Sequence, residues 1–582
     1  MNRKPYAILP LLWILVMLVL TLTPAQDMPR TPEWKFLSFD TAAHAGVFAV
    51  LAGLSWFSLR RQRRWPRLAA HAGAVVLVGC VLFGGLIEVL QYAMHLGRHA
   101  EWTDLVGDSV GAALALLLVA SIRRWRQRQA GLALLALVLA TSAAHAQTEP
   151  DMTRARGTIE TLAAPAMHGR GYVQGGEHLA AAYLRGRLKQ LGLQPLAPNY
   201  TQPFGLDMNT FPGKVALRIT SLGEDAPLDF QPLRLGIDFI VAPESGGTAK
   251  LLNSKFVRFD TLAFTDEVAR QRLQRVMRYT YPPEFPAKSG LFLTAKEEQR
   301  LKQLPAGVQQ TLDSAAVRLV LVPKLTASLA SEQLPTVRVE AVATQPLLAE
   351  YSRLRYGLAR NGFAAQIQLD AQLLRNYQTQ NLAAVVRGRI QPDSFLVVTA
   401  HYDHLGMMGK TTYFPGANDN ASGVALLLEL AAHYARPENR PACSVVFLLF
   451  GAEEAGLVGS SYFVQHPLVP LKNIRFLVNL DLLGTGEEGA TVVNGKVFPA
   501  AFQQLTALND AHHYLPRLTA RGAAANSDHY PFSQLGVPAF FLYTRGGSLA
   551  YHDVNDRPAA LSLVGFAGAF GLVRDFLQAQ DK

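Results

Sequence analysis

The feature that most constrains the fold is an alternation of apolar runs, polar loops and helix formers between residues 395 and 454. The runs 395–400 and Cys443–Phe450 are short and rich in β-branched and aromatic residues, which favour buried strands. Between them, residues 424–434 form an apolar run of helix formers. Strands that alternate with helices form a parallel sheet with helices on its faces. The sequence therefore predicts an α/β fold with a mostly parallel central sheet.

Acidic and imidazole side chains come directly after the predicted strands, and the same pattern recurs downstream. Open parallel sheets bind ligands at the carboxyl ends of their strands. Two further apolar runs, 474–480 and 537–543, lead into an aspartate and into a loop with a histidine. The candidate site residues in chain order are His401, Asp403, Asp419, Glu453, Glu454, Asp481 and His552.

These residue types point to a metal site. Imidazoles and carboxylates without cysteine suit zinc or a similar divalent ion. Five ligands, one of them able to bridge, suit two ions a few ångströms apart, an arrangement used in hydrolysis. Any single member of the set is more often structural, as a helix cap or a solvated loop residue. Their recurrence at successive strand ends favours the metal site.

The motifs together resemble the M28 family of zinc-dependent peptidases. The resemblance is carried by His401-x-Asp403, Asn418-Asp419-Asn420-Ala-Ser-Gly423, Glu453-Glu454, Asn479-Leu-Asp481, Ser527-Asp528-His529 and Tyr551-His552. It implies a zinc-exopeptidase fold and an aminopeptidase that removes amino-terminal residues from peptides. It also implies two zinc ions as cofactors, and other divalent ions would fit the same ligands.

The resemblance assigns each metal ligand a place. Asp419 would bridge the two ions. His401 and Asp481 would complete one site. Glu454 and His552 would complete the other site.

Three further residues receive roles in the same way. Glu453 would be the general base. Asp403 would orient the imidazole of His401. Tyr551 would donate a hydrogen bond to the tetrahedral oxyanion. Two alternatives share this fold: a glutaminyl-cyclase-like acyltransferase, associated with a single zinc, and a catalytically inactive receptor-like domain.

The first 128 residues contain four apolar runs, at 7–22, 42–59, 68–92 and 105–122. Their lengths match a hydrocarbon core of roughly 30 Å, so a lipid bilayer is an expected partner. The chain carries a net charge of +11, and arginine clusters at 60–67 and 123–128 lie beside the apolar runs. This placement indicates membrane topology rather than nucleic-acid binding, and the positive-inside rule puts both clusters in the cytoplasm.

Ionisable and polar residues stand inside or beside these runs: Asp40, His44, Glu88, Gln91, Arg98, Asp104 and Asp108. Such groups are costly at membrane depth, and they either serve a function or pair between helices. The pattern resembles the VanZ-like family of small four-helix membrane proteins over residues 1–128. The resemblance implies an all-α transmembrane domain ahead of the peptidase.

Residues 129–150 resemble a secretory signal. An apolar run at 130–140 follows the basic cluster, and Ala144-His-Ala-Gln147 has the small residues of a cleavage site. The segment fits a fifth span, release by signal peptidase after Ala146, or the junction of two joined reading frames. All three place the peptidase outside the cytoplasm, on the periplasmic side of the cytoplasmic (inner) membrane.

The peptidase-like region is expected to cover residues 151–582. A segment at about 205–375, here called the inserted segment, interrupts it. Strand-like runs at 214–219, 316–323 and 335–343 predict a β-rich module, and residues 265–278 predict a charged helix. Residues 316–339 resemble a protease-associated insert, which would shape access to the site.

Overall fold

The computed structural model describes residues 7–22, 39–62, 65–94, 104–121, 149–221, 230–278, 287–344, 347 and 363–581. The chain forms two compact units, Met1–His145 and Ala146–Lys582. The signal-like segment at 129–148 lies outside the described residues.

The first unit is helical. Its helices are Ile8–Leu22, Phe39–Arg61, Pro66–Ala70, Ala72–Met94 and Asp104–Ser121. Within the described residues, Thr41–Arg61, Ala72–Gln91 and Asp104–Ser121 are long and apolar enough to cross a membrane. The helix over Ile8–Thr21 is apolar but shorter. Three of the four predicted spans therefore meet the length that a bilayer requires.

Small residues bring two of these helices into close contact. A Cβ atom at Gly111 would lie 2.0 Å from the carbonyl oxygen of Ala45, so only glycine fits at this crossing. Small residues at such positions allow the backbones of membrane helices to approach. This approach places polar side chains of the two helices beside each other.

Four of the polar residues predicted in this unit pair between helices. His44 Nδ1 lies 3.1 Å from Asp108 Oδ1, and both side chains are buried. Thr41 donates to Asp104 at 2.9 Å. Gln91 donates to the carbonyl oxygen of Thr21 at 2.9 Å. The side chain of Asp40 and residue Arg98 lie outside the described residues.

The second unit is built on a nine-stranded mixed sheet. Its parallel centre runs in the order Cys443–Phe450, Gln391–His401, Ile474–Leu480 and Ala539–Thr544. Antiparallel strands flank this centre: Gln372–Val386 beside Cys443–Phe450, and Ala490–Val493 beside Ala539–Thr544. The remaining strands are Gln194–Pro195 and Thr201–Thr210, which pair with Gln372–Val386, and Leu518–Ala520, which pairs with Ala490–Val493.

Both faces of the central strands are covered. Every residue of Cys443–Phe450 is buried, as expected for a strand between two helical layers. One face packs against Met152–Leu162, Gly176–Gln190, Gly423–Tyr434, Pro499–His512 and Phe566–Gln580. The other face packs against Val458–Gln465 and His529–Gln534. The predicted α/β architecture, with a mainly parallel sheet centre flanked by helices, is confirmed.

The inserted segment is bounded by the long strands Thr201–Thr210 and Gln372–Val386, so it occupies residues 211–371. Its eight-stranded sheet has the order Gln231–Pro232, Val215–Ser221, Phe363–Leu369, Leu252–Arg258, Ala287–Thr294, Val317–Val322, Val337–Val342 and Phe239–Val241. The helices Glu267–Met277, Ala295–Arg300 and Ala306–Asp313 also belong to it. The strands from Leu252 to Val342 are parallel neighbours, and the charged helix predicted at 265–278 is Glu267–Met277, so the β-rich segment is itself an α/β layer.

Candidate metal centre

Three neighbouring parallel strands deliver the site residues at one edge of the sheet. His401 is the last residue of Gln391–His401. Glu453 and Glu454 follow Cys443–Phe450, and Asp481 follows Ile474–Leu480. Because the carboxyl ends of parallel strands meet at one edge, residues far apart in sequence become neighbours there.

Asp419 enters the site from a short turn, Ala417–Ser422, ahead of helix Gly423–Tyr434. Gly416 begins this turn with φ 58°, and a Cβ atom there would lie 2.2 Å from the carbonyl oxygen of Asp419. Only glycine accepts both the left-handed backbone and this close approach. The turn therefore fixes the place of the Asp419 carboxylate.

The carboxylate of Asp419 stands between two imidazoles. Its Oδ1 lies 3.3 Å from His401 Nε2, and its Oδ2 lies 3.2 Å from His552 Nε2. Asp481 Oδ1 lies 3.5 Å from His401 Nε2, and Glu454 Oε2 lies 3.1 Å from His552 Nε2. The structure thus brings the five predicted ligands together as two halves that share Asp419.

Two groups of side chains in the described part of the chain offer donor atoms close enough for one metal ion. One group is His401, Glu453 and Asp481, and the other is His404, Asp419 and Glu454. His404 was not among the ligands predicted from the sequence. Its Nδ1 lies 2.7 Å from Glu454 Oε1, and the residue is fully buried. A second histidine three residues after His401 was the available signal.

Asp403 connects the end of strand Gln391–His401 to the residues that follow strand Cys443–Phe450. Its carboxylate accepts hydrogen bonds from the backbone N–H groups of Glu453 at 3.1 Å and Glu454 at 3.4 Å. The backbone carbonyl of Asp403, rather than its carboxylate, is closer to His401 Nδ1, at 3.2 Å against 3.7 Å. Asp403 therefore positions the two glutamates as well as the imidazole of His401.

A hydrogen-bonded chain across neighbouring strands orients Asp481. Thr399 donates to the side-chain oxygen of Asn479 at 2.6 Å, and Asn479 donates to Ser527 Oγ at 2.8 Å. Ser527 then donates to Asp481 Oδ2 at 2.9 Å. This chain leaves Asp481 Oδ1 facing the imidazole of His401.

Burial raises the pKa of two carboxyl groups near the candidate metal centre, Glu453 and Asp528. Desolvation raises the pKa of Glu453 well above its ordinary value, and neighbouring carboxylates raise it further. Burial also raises the pKa of Asp528, to about 7. Such a shift favours a group that takes up and releases a proton near neutral pH.

Tyr551 lies at the mouth of the site. Its ring stacks on His552 with centroids 3.9 Å apart and an interplanar angle of 16°, and 46% of the residue is exposed. It borders a cavity of about 170 Å³ that reaches the metal ligands, and the cavity is also lined by Leu482, Asn526, Phe541 and Tyr543.

Two buried charged residues that the sequence analysis did not assign support the turn with Asp419. Arg170 has no exposed surface and donates to five backbone carbonyls on three parts of the chain: Leu162, Tyr402, Pro415, Gly416 and Asp419. Burial lowers the pKa of Arg170 to about 10, so it remains charged. Asp556, only four residues after His552, accepts hydrogen bonds from the backbone N–H groups of Asn418 and Asp419.

The donor set fits a divalent cation. Asp481 Oδ1 and His404 Nε2 are buried and form no hydrogen bond within the described residues. Carboxylates this close together in a buried site are costly unless a cation compensates them. Carboxylate oxygens and imidazole nitrogens without thiolates suit zinc.

The fold and this imidazole and carboxylate centre define a domain of the metallopeptidase class. Residues 381–576 match Peptidase family M28, and residues 7–123 match VanZ/LLP1. The chain therefore combines a VanZ/LLP1 domain with a domain of peptidase family M28.

Curated relatives share part of the chain. A probable zinc metalloprotease of Pyricularia oryzae is 40% identical over 113 residues, which are 19% of this chain and 22% of the relative. Aminopeptidase YwaD of Bacillus subtilis is 32% identical over 177 residues, which are 29% of this chain and 36% of the relative. The chain spans less than half of the length of these curated relatives.

Solved structures share the fold over a longer stretch. The zinc aminopeptidase BSAP from Bacillus subtilis aligns with a TM-score of 0.53 at 18% identity, over 74% of this chain and 95% of that one. A peptidase M28 precursor from Shewanella amazonensis aligns with a TM-score of 0.53 at 16% identity, over 74% and 93%. At these identities the likeness concerns the fold.

Proposed function

We propose that this protein is a membrane-anchored aminopeptidase that uses two zinc ions to release amino-terminal residues from peptides. The observation that carries the proposal is the position of Asp419, with one carboxylate oxygen toward each of two imidazoles, at 3.3 and 3.2 Å. A carboxylate placed in this way can hold two ions at once. Two-metal sites of this kind are typical of aminopeptidases and other hydrolases.

In this proposal, His401 and Asp481 would hold one ion and Glu454 and His552 would hold the other, with Asp419 shared. Bound zinc supplies a Lewis acid that lowers the pKa of water and polarises the scissile carbonyl. His404 contacts Glu454 at 2.7 Å and orients its carboxylate. Orienting contacts of this type typically matter to metal affinity.

Glu453 moves the proton. Its carboxylate takes a proton from the attacking water and then gives that proton to the nitrogen of the leaving amine. Desolvation raises the pKa of Glu453, which makes its carboxylate a stronger base for the first step. Asp403 holds the backbone of Glu453 so that the carboxylate stays within the site.

Tyr551 is proposed to donate its hydroxyl hydrogen to the oxyanion that forms at the substrate carbonyl. Its ring is fixed against His552 by stacking, although the residue remains partly exposed. This position lets the hydroxyl reach a substrate that enters the cavity from solvent.

The proposed organisation places a VanZ-like transmembrane domain at residues 1–128 and a signal-like linker at 129–150, ahead of the peptidase domain at 151–582. The apolar helices and the flanking arginines support anchoring in the cytoplasmic membrane. The same arginines support a periplasmic peptidase, with release after Ala146 as a further step.

The function is tested with the full chain in detergent, with matched peptides that have free or acetylated amino termini. We expect zinc-dependent release of the first residue from the free peptides alone. The Glu453→Gln variant serves as the control for contaminating peptidases. Cleavage of acetylated peptides at the same rate would contradict the aminopeptidase assignment, and cyclisation of amino-terminal glutamine without hydrolysis would favour the acyltransferase.

A further inference from the structure

His552 lies on a loop that Asp556, four residues beyond the histidine, ties to the turn Ala417–Ser422. The loop covers residues 545–557, between strand Ala539–Thr544 and the short helical turn Pro558–Ala560. Leu549 in this loop is 89% exposed. The backbone of His552 is left-handed, with φ 56°, which is strained for a residue other than glycine. Such a conformation persists where surrounding contacts impose it.

The contacts that impose it come from the inserted segment. His552 Nδ1 lies 2.9 Å from the carbonyl oxygen of Ala327. In return, the backbone N–H of Ala327 donates to the carbonyl oxygen of His552 at 3.0 Å. A carbonyl oxygen only accepts, so Nδ1 carries the hydrogen in this pair. In the neutral ring Nε2 is then the free acceptor, and it is the nitrogen that faces Asp419 and Glu454.

The side chain of Lys324, also in the inserted segment, contacts the same loop. Lys324 Nζ donates to the carbonyl oxygens of Leu549 at 2.7 Å and Tyr551 at 3.3 Å. It also lies 3.5 Å from Asp553 Oδ2. One ammonium group therefore contacts residues on both sides of His552.

The stretch that makes these contacts is anchored. Leu325 and Ala327 are buried, 6% and 3% exposed, in the hydrophobic core of the inserted segment. Their backbone is thus fixed by the packing of the segment. Contacts with this fixed backbone hold the loop with His552 in place.

The other imidazole needs no such help. His401 is the last residue of a central strand. Its Nδ1 lies 3.2 Å from the carbonyl oxygen of Asp403, two residues further along the chain. One half of the centre is therefore complete within the sheet. The half with His552 also depends on a segment some two hundred residues earlier in the sequence.

We propose that the inserted segment is a working part of the metal centre, with Lys324 as a positioning residue that holds His552 for one of the two ions. The inference rests on the proposed two-zinc function. It assigns the segment a role in metal affinity, in addition to any part in substrate access. It also predicts an asymmetric centre, in which contacts from the segment set the affinity of the His552 half alone.

The test uses the full chain in detergent, stripped of metal and titrated with zinc against a chromophoric chelator. Lys324→Met removes the ammonium group and keeps most of the side-chain length. Lys324→Arg restores a cation with several donors. Lys302→Met is the matched control, because Lys302 is an exposed lysine of the same segment whose side chain has no contact with the loop. Thermal unfolding of each metal-free variant checks folding.

We expect Lys324→Met to weaken one zinc site about tenfold and to leave the other unchanged, as is typical when a group that orients a metal ligand is lost. Lys324→Arg should recover most of the affinity, and Lys302→Met should bind zinc as the wild type does. Equal affinities in Lys324→Met and wild type, or an equal loss at both sites, would overturn the inference. A wild-type chain that binds two zinc ions but cleaves no peptide would instead contradict the proposed function.

Discussion

The carboxylate of Asp556 accepts a hydrogen bond from the backbone N–H of Asp419 at 3.0 Å. The same carboxylate accepts from the N–H of Asn418 at 2.9 Å, and Asp556 has no exposed surface. Asp556 lies four residues after His552. The contact therefore ties the loop with one imidazole to the turn with the shared carboxylate.

Asp556→Ala should destabilise the turn and weaken zinc binding. The substitution leaves two buried N–H groups without an acceptor, which costs about 1–3 kcal/mol for each group. Asp556→Asn keeps one side-chain acceptor and should lose less. The measurement is the unfolding temperature of the metal-free full chain, together with its zinc affinity. Asp510→Ala, at an exposed position on helix Pro499–His512, is the control, and a loss of equal size there would refute the explanation.

Replacing each of the two adjacent glutamates should have a different effect on zinc binding and on kcat. Glu453→Gln removes the proton acceptor but keeps its shape, so both ions should remain bound while kcat falls by about 10²- to 10⁴-fold and KM changes little. Glu454→Gln should lower the occupancy of one site, because Glu454 contacts His552 at 3.1 Å and His404 at 2.7 Å. Zinc content and peptide kinetics are measured on the same preparations. Loss of zinc from Glu453→Gln would mean that the two roles are exchanged.

The sequence predicted the sheet and the strand-end ligands because both follow from short-range patterns. The strands Cys443–Phe450 and Ile474–Leu480 have the predicted bounds, and side chains after parallel strands converge at one edge by geometry alone. The helices Ala295–Arg300 and Ala306–Asp313 were not predicted, because short polar helices leave a weak apolar periodicity.

The supporting contacts could not be predicted in the same way. Arg170 reaches carbonyls more than two hundred residues away, and Ala327 meets His552 through backbone atoms that carry no residue-specific signal. Asp403 illustrates a third limit, because its spacing from His401 indicated one partner while the fold gave its carboxylate two others. These contacts depend on loop positions that only the folded chain defines.

Stability should depend on pH through Glu177. This residue is fully buried, and burial raises the pKa of its carboxyl to about 7. Because this pKa exceeds the unfolded value of about 4.3, the folded state binds the extra proton, and stability is lost as pH rises through 7. Glu177→Gln should be roughly 1–3 kcal/mol more stable than wild type at pH 8 and close to wild type at pH 4.

Thermal unfolding of the metal-free chain across pH 4–8 measures this effect. Glu160→Gln, at an exposed position on helix Met152–Leu162, should leave the pH profile unchanged. A Glu177→Gln variant that is less stable than wild type at pH 8 would show that the carboxylate is stabilising.

Membrane orientation should place the two ends of the chain on opposite sides. The arginines around residues 60–67 favour the cytoplasm, and the segment after residue 147 should lie outside it. A reporter enzyme that is active only after export should be active when fused at Lys582 and inactive when fused after Arg64. The reverse pattern would contradict the periplasmic location of the peptidase domain.

The most direct measurement is a zinc titration of the metal-free full chain. Bound zinc and the rate at which an amino-terminal residue is released are measured in the same samples. The account predicts two equivalents of bound zinc for each chain, with full activity only when both are bound. Asp419→Asn should weaken both sites, because this carboxylate contacts both imidazoles. Saturation at one equivalent, or full activity of Asp419→Asn with one site intact, would contradict it.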